Sequence, residues 1–100
     1  MASGLYGITF LNALKNTLAL DLDGDTIKIM LVTSSYTPDF GAHDFKDDVS
    51  NEVSGTNYTA GGNTLGSVAV TQASGTIKFD AADTSWSSAT ITSARGAVIY

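Results

Sequence analysis

The segment from Thr26 to Thr33 is the most strongly apolar run in the chain, and it directly follows an acidic turn at Asp21–Asp25. Side chains in an extended strand alternate between two faces. The faces of this segment would carry Ile27, Ile29 and Leu31 on one side and Lys28, Met30 and Val32 on the other. A strand that is apolar on one face and largely apolar on the other is typical of the middle of a sheet. We therefore predict a central strand whose two faces are covered by the rest of the chain.

The composition favours strands and turns over helices. Charged residues make up 15% of the 100 residues, compared with about 25% in an average domain. Polarity comes instead from Ser, Thr, Asn and Gly, which are turn or strand formers. The length suits one small domain. We predict a mainly β (α+β) fold, either a small antiparallel β-sandwich or barrel, with one short N-terminal helix packed on the sheet.

The charge balance argues against two classes of partner. The net charge is −5, and the five basic residues are scattered along the chain. Without a basic patch, neither nucleic acid nor an anionic membrane surface is a predicted partner. The absence of cysteine excludes disulfides and thiolate metal sites. The first residues lack the positive start of a signal peptide and no apolar run is long enough to span a bilayer, so we expect synthesis without export.

The N-terminal region has helical periodicity. Leu11, Leu14 and Leu18 follow an i, i+3, i+7 spacing, and Phe10 and Leu14 form an i, i+4 pair. Thr9 is the candidate N-cap. We predict an amphipathic helix of about two to three turns that covers one face of the central strand.

The acidic turn resembles the start of a calcium-binding loop. Asp21, Asp23 and Asp25 match the first three ligand positions of an EF-hand. However, Thr26 stands where that loop needs glycine, and Val32 stands where it needs a bidentate glutamate. We interpret the segment as a solvated turn that leads into the strand, and the alternative is a weak calcium site of another type.

The region from 34 to 55 is polar and contains the only histidine, His43. Residues 43–53 could form a helical turn with Phe45, Val49 and Val53 on one side. Adjacent His43 and Asp44 do not supply the geometry of a catalytic triad, and the chain has no G-x-S-x-G motif. We therefore interpret His43 as a surface or loop-anchoring residue and assign no catalytic residue.

The second half of the chain reads as turns and strands. The glycines of segment 55–64 do not have phosphate-loop spacing, and Tyr58 is a candidate exposed contact for a partner. Segments 65–72 and 76–79 predict a hairpin across a turn at 73–75. Trp86 is expected to fill the core or its rim. Arg95–Tyr100 predicts a final strand, whose free edge would invite pairing with another chain.

Seven segments spread over most of the chain carry a resemblance to a known family: Met1–Gly7, Asp21–Pro38, His43–Val49, Glu52–Gly62, Phe79–Asp83, Trp86 and Ala97–Tyr100. In this order they are similar to a family of small proteins of tailed bacteriophages and prophages. Members are usually uncharacterised or described as virion structural proteins. Family chains commonly continue past the Val-Ile-Tyr strand. The resemblance therefore implies that residues 1–100 form a single domain shortened at its C-terminus relative to the family.

The resemblance implies a bacteriophage virion structural protein that is not an enzyme. Its most concrete form is a capsid decoration, or cement, protein that binds the major capsid protein and stabilises the head. The implied partners are the major capsid protein, other virion proteins and neighbouring copies in a homo-oligomer, and the implied location is the virion, after assembly in the host cytoplasm. The alternatives are a tail, fibre or head–tail connector protein, and a carbohydrate- or calcium-binding module using Trp86, Tyr58 and the acidic turn. No cofactor, metal ligand or catalytic residue is assigned.

Overall fold

Strands dominate the computed structural model, which describes all residues from 1 to 100. Strand makes up 26% of the chain and helix 11%, which confirms the predicted mainly β class with antiparallel sheets and one short α-helix. The elements are α1 (Gly7–Leu14), β1 (Lys28–Val32), a 3₁₀ turn (Lys46–Asp48), β2 (Gly55–Thr56), β3 (Asn63–Thr64), β4 (Ala69–Ala73), β5 (Thr76–Asp80), β6 (Thr90–Ile91) and β7 (Gly96–Ile99). They form three small sheets with the strand orders β3-β1-β7, β2-β6 and β4-β5.

β1 is the central strand of the largest sheet, as its apolar run predicts. It pairs antiparallel with β3 and with β7, so that Lys28 lies opposite Thr64 and Met30 lies opposite Val98. Met30 and Val32 are only 1% and 0% exposed. The residues that alternate with them remain half-buried. The central strand is therefore fully covered on one face alone.

The core on that face is small. Four buried residues form it, namely Met30, Val32, Tyr36 and Val98, and Tyr6, Val49 and Tyr100 pack against them. Only 8 of the 100 residues are buried in the whole chain. Because the free energy of folding comes mainly from apolar burial, a core of this size leaves the isolated chain with little stability.

The predicted N-terminal helix exists but begins and ends earlier than expected. It begins at Gly7, with Tyr6 rather than Thr9 at the N-cap position and no side-chain cap hydrogen bond. It ends at Leu14, before Asn16 adopts a positive φ of 57°. A left-handed residue at this place stops helical propagation, so Leu18 lies outside the helix.

The prediction that this helix covers the central strand is wrong. No residue of the helix is buried. Phe10 and Leu14 are 59% and 71% exposed. The helix start is instead held by the loop after β1, because the Gly7 N–H donates to the Phe40 carbonyl at 2.7 Å and the Tyr6 ring packs on Phe40 at 5.4 Å. This attachment holds α1 beside the sheet.

The helical turn predicted within residues 43–53 is reduced to the single 3₁₀ turn. The residues expected on its apolar side also do not share one environment, since Val53 is 5% exposed whereas Phe45 is 62% exposed. The Asp48 carboxylate accepts hydrogen bonds from the N–H groups of Asp44 and Phe45. These bonds lower the pKa of Asp48, and they stabilise the 3₁₀ turn.

The predicted hairpin is confirmed as β4 and β5. Ser74 and Gly75 form its tight turn with φ values of 51° and 82°. Two consecutive positive φ values are characteristic of the type I′ turn that matches the twist of a hairpin. The hairpin pairs with no other sheet, and Ile77 on β5 is 74% exposed.

The glycine-rich loop before β3 lies directly against β1. Gly62 has a φ of +72°, and a Cβ built there would overlap the Ile29 carbonyl. Only glycine combines this backbone conformation with so close an approach. The pairing of β3 with β1 therefore depends on Gly62.

We expect Gly62→Ala to lower the free energy of unfolding by roughly 2–4 kcal/mol, since the methyl group meets backbone and the left-handed conformation is strained. Gly66→Ala is the matched control, because a Cβ at Gly66 has no atom within 4 Å. Urea unfolding followed by circular dichroism measures both. Equal stabilities of the two variants would contradict the close approach of this loop to β1.

Candidate functional site

Carboxylates of the acidic turn accept hydrogen bonds from backbone N–H groups of the same turn. The Gly24 N–H donates to Asp21 Oδ1 at 3.0 Å, and the Asp21 N–H donates to Asp25 Oδ2 at 3.2 Å. A hydrogen bond with Asp21 raises the pKa of Asp23. The structure contains no group of three or more His, Cys, Asp or Glu side chains that could hold a metal ion. The segment forms a hydrogen-bonded turn before β1, as its sequence indicates.

His43 anchors a loop. Its Nδ1 accepts a hydrogen bond from the Asp39 N–H at 3.2 Å. Because a nitrogen that accepts from an N–H carries no proton, the neighbouring Tyr36 hydroxyl donates to the same atom, at 3.0 Å. The Tyr6 hydroxyl then donates to the Tyr36 oxygen at 2.8 Å. This chain of hydrogen bonds joins the helix start to the loop after β1, and burial raises the pKa of Tyr36.

Tyr58 is not the exposed contact that its glycine-rich surroundings suggested. Its side chain is half-buried. The hydroxyl donates to Glu52 Oε1 at 2.7 Å and accepts from the Leu31 N–H at 3.0 Å. The ring lies 5.7 Å from that of Trp86, whose buried indole N–H has no hydrogen-bond partner. Tyr58 therefore has a structural role, because its hydrogen bonds connect the loop at 55–62 to β1.

Glu52 also takes part in the hydrogen bonds that connect this loop to β1. The sequence analysis did not single out this residue. Besides Tyr58, its Oε1 accepts the Gly61 N–H at 2.6 Å. The Gly61 carbonyl accepts in turn from the Tyr100 hydroxyl at 2.7 Å. Together with Leu31, these four residues join three parts of the chain through hydrogen bonds, namely β1, residues 52–61 and Tyr100. No local spacing could have revealed the group, because its members meet only after folding.

The surface carries an apolar groove of about 1200 Å³. Nineteen of the 27 residues that line it are hydrophobic. Its walls are the N-terminal segment up to Phe10, the loop from Tyr36 to Val49, Ile77 and Phe79 of β5, and Ala97–Tyr100. Sequence periodicity gave no signal for this groove.

The outer edge of β7 lies on this groove. Lys28 and Tyr100 exchange two backbone hydrogen bonds, at 2.7 and 2.9 Å. Hydrogen-bonded and non-bonded pairs alternate along an antiparallel ladder. The N–H and C=O groups of Ala97 and Ile99 consequently point away from β1, and both residues are exposed. β7 ends the strand order β3-β1-β7, so residues 1–100 supply no strand that pairs with this edge.

The chain exposes more surface than its mass predicts. Its accessible surface is 6669 Å². A folded monomer of 10.3 kDa exposes about 5,400 Å² by the usual scaling, so the excess is about 1,300 Å². The radius of gyration is 14.5 Å, against about 13 Å for a typical 100-residue domain. Ten large hydrophobic side chains are exposed, among them Leu5 at 82% and Leu14 at 71%.

Searches against protein-family models, curated proteins and solved structures found no match for this chain. The structure contains no helix with the length and apolar character needed to cross a membrane. The apolar groove and the β7 edge beside it are the candidate functional feature, because they combine an apolar lining with a strand edge that no other strand covers.

Replacing Tyr58 tests the fastening of the loop. Tyr58→Phe leaves the Leu31 N–H without an acceptor and removes a donor from Glu52, so we expect the free energy of unfolding to fall by about 1–3 kcal/mol. Thr71→Val, which removes an exposed hydroxyl from β4, is the control and should change it by less than about 0.5 kcal/mol. Denaturant titration measures both values. Similar small losses in both variants would contradict a structural role for the Tyr58 hydroxyl.

Alkaline pH should destabilise the fold through the same residue. Burial raises the pKa of Tyr58 from 10.0 to about 12, so the folded chain retains a proton that the unfolded chain has lost. Stability is then complete below pH 10.0 and decreases as the pH rises towards about 12. Urea unfolding across this range should show the decrease, with a shallower slope in Tyr58→Phe. A flat profile in the unaltered protein would contradict the prediction.

Proposed function

We propose that this protein is a structural component of a bacteriophage virion, where it acts as a capsid decoration protein on the outside of the major capsid protein shell. The observation that carries the structural role is the accessible surface of 6669 Å², which exceeds the expected value by about 1,300 Å². The resemblance of the seven segments to phage proteins supports the virion as the place.

The size of this excess suits contact with neighbouring proteins. A stable interface of standard size buries about 800 Å² on each partner. An excess of about 1,300 Å² provides one such interface and part of a second. A protein that contacts two neighbours at once can bridge them. We propose that it works by adhesion, adding contacts between capsid subunits that resist the outward pressure of packaged DNA.

The charge supports a position away from the nucleic acid. The chain carries ten acidic and five basic residues. Phosphate groups would repel such a surface. An acidic protein on the outer face of a shell avoids that repulsion, and its partner surface would be neutral or basic.

Mass spectrometry of purified particles tests the proposal directly. A decoration protein should be present in roughly hundreds of copies, following the symmetry of the shell, whereas a tail, fibre or connector protein should be present in about a dozen or fewer. Particles that contain none of this chain would overturn the virion assignment.

Calorimetric titration with calcium and with host glycans tests the remaining alternative, a ligand-binding module. Heat of specific binding in this titration would favour that alternative.

An exposed apolar side chain of α1 provides the matching variant test. We expect Phe10→Gln to weaken binding to undecorated capsids by about tenfold or more, since it removes a large apolar contact. Phe10 is 59% exposed, so the stability of the free protein should change little. Lys15→Gln, just beyond the same helix, is the control. Co-sedimentation with capsids measures the affinity. Equal binding by both variants would show that the exposed face of α1 is not part of the interface.

A further inference from the structure

We propose that the free edge of β7 and the apolar groove beside it bind an extended strand of a different protein, with an apolar face and basic flanks. This inference rests on the proposed function as an assembly component and specifies its mode of contact. The added strand would pair with β7 and extend the sheet from three strands to four. Its alternate side chains would enter the groove.

The backbone of β7 supplies the pairing groups. Ala97 and Ile99 direct their N–H and C=O groups away from β1, as the hydrogen-bonded pair of Lys28 and Tyr100 requires. Both residues are exposed, and both line the groove. Two donors and two acceptors therefore stand at the spacing of a strand, which is the arrangement used when a peptide adds to a sheet edge.

β7 is also a poorly protected edge, and of the two longer edge strands without charge or proline, β4 and β7, only β7 lines the groove. Proteins commonly block exposed edges with charged side chains, proline or very short strands. β2, β3 and β6 have two residues each, and β5 carries Lys78 and Asp80. The segment Gly96–Tyr100 contains no charge and no proline. An edge left open in this way is suited to pairing.

The groove has the size and lining for side chains of a strand. Its volume of about 1200 Å³ exceeds the roughly 300–1,000 Å³ typical of small-molecule sites. The Ala97–Tyr100 segment forms one wall, and Ile77 and Phe79 of the hairpin contribute to another. A strand seated on β7 would thus have apolar residues of this chain along its length.

Charge selects a different protein over a second copy. Each copy carries a net charge of −5, so two copies repel one another. The charged residues that line the groove are Asp44, Lys46 and Asp47, with a net charge of −1. Basic residues flanking the bound strand would be attracted to both the groove and the whole chain.

A synthetic peptide tests the proposal on the full chain. The probe is a nine-residue peptide in which valine and threonine alternate between flanking lysines. One comparison peptide has glutamate flanks, and a second has a central proline. Fluorescence anisotropy gives the affinities, and amide hydrogen exchange followed by NMR gives the location. We expect both comparison peptides to bind at least about tenfold more weakly, and the amides of Ala97 and Ile99 to exchange at least about tenfold more slowly in the complex.

A proline substitution identifies the edge. Ala97→Pro removes an outward N–H while leaving the bonds between β7 and β1 available, so peptide affinity should fall by about tenfold or more. Val70→Pro is the matched control, since the alternation counted from the hairpin turn places the Val70 N–H on the outer side of β4. It should leave the affinity within about twofold. Circular dichroism checks that both variants fold. If either variant fails to fold, the hydrogen-exchange data on the unaltered protein test the inference instead.

Three results would overturn the inference. The first is no binding of the lysine-flanked peptide, or binding that leaves the Ala97 and Ile99 amides unprotected. The second is equal affinity of Ala97→Pro and Val70→Pro when both fold. The third is a dimer in which these amides are already protected without peptide, which would identify a second copy as the occupant. Capsid binding by the unaltered protein would stand in each case, so the failure of this inference is distinguishable from failure of the proposed function.

Discussion

Burial of one face of β1 against Tyr36 and Val98 is the constraint on which the rest of the structure depends. Met30 and Val32 are the only large side chains with less than 2% exposure, and both belong to this strand. Everything attached to the sheet meets at this point: β3 and β7 by pairing, and the loop after β1 through Tyr36. Because so few residues are buried, the remaining elements are held by other means.

Hydrogen bonds between distant residues supply much of that attachment. Glu52 and Tyr58 connect the glycine-rich loop to β1, and Tyr6, Tyr36 and His43 connect the helix start to the loop after β1. Each such bond contributes about 0.5–1.5 kcal/mol net, but leaving one partner unmatched and buried costs more. The hydrogen-bonded polar residues of these two groups therefore stabilise the fold. The contacts proposed above rest on the exposed apolar surface.

That apolar surface and the acidic charge together define what the molecule can associate with. The groove and the exposed face of α1 favour contact with apolar protein surfaces, whereas the net charge of −5 disfavours phosphate-rich partners and close contact between copies. The open edge of β7 adds directional hydrogen bonding to this otherwise non-directional attraction. A partner that is extended, apolar and basic satisfies all three properties.

Local sequence patterns determined three features of this protein. The apolar run at 27–32 identified the central strand, the Ser74-Gly75 pair lay within the predicted hairpin turn, and the acidic segment indicated a turn, because each depends on neighbouring residues alone. Only the tertiary structure decided where α1 lies, that Tyr58 turns inward to Glu52, and that a groove opens beside β7. These features depend on residues many positions apart, such as Gly7 with Phe40 or Tyr58 with Leu31, and helical or strand periodicity carries no information about which partner such a residue meets.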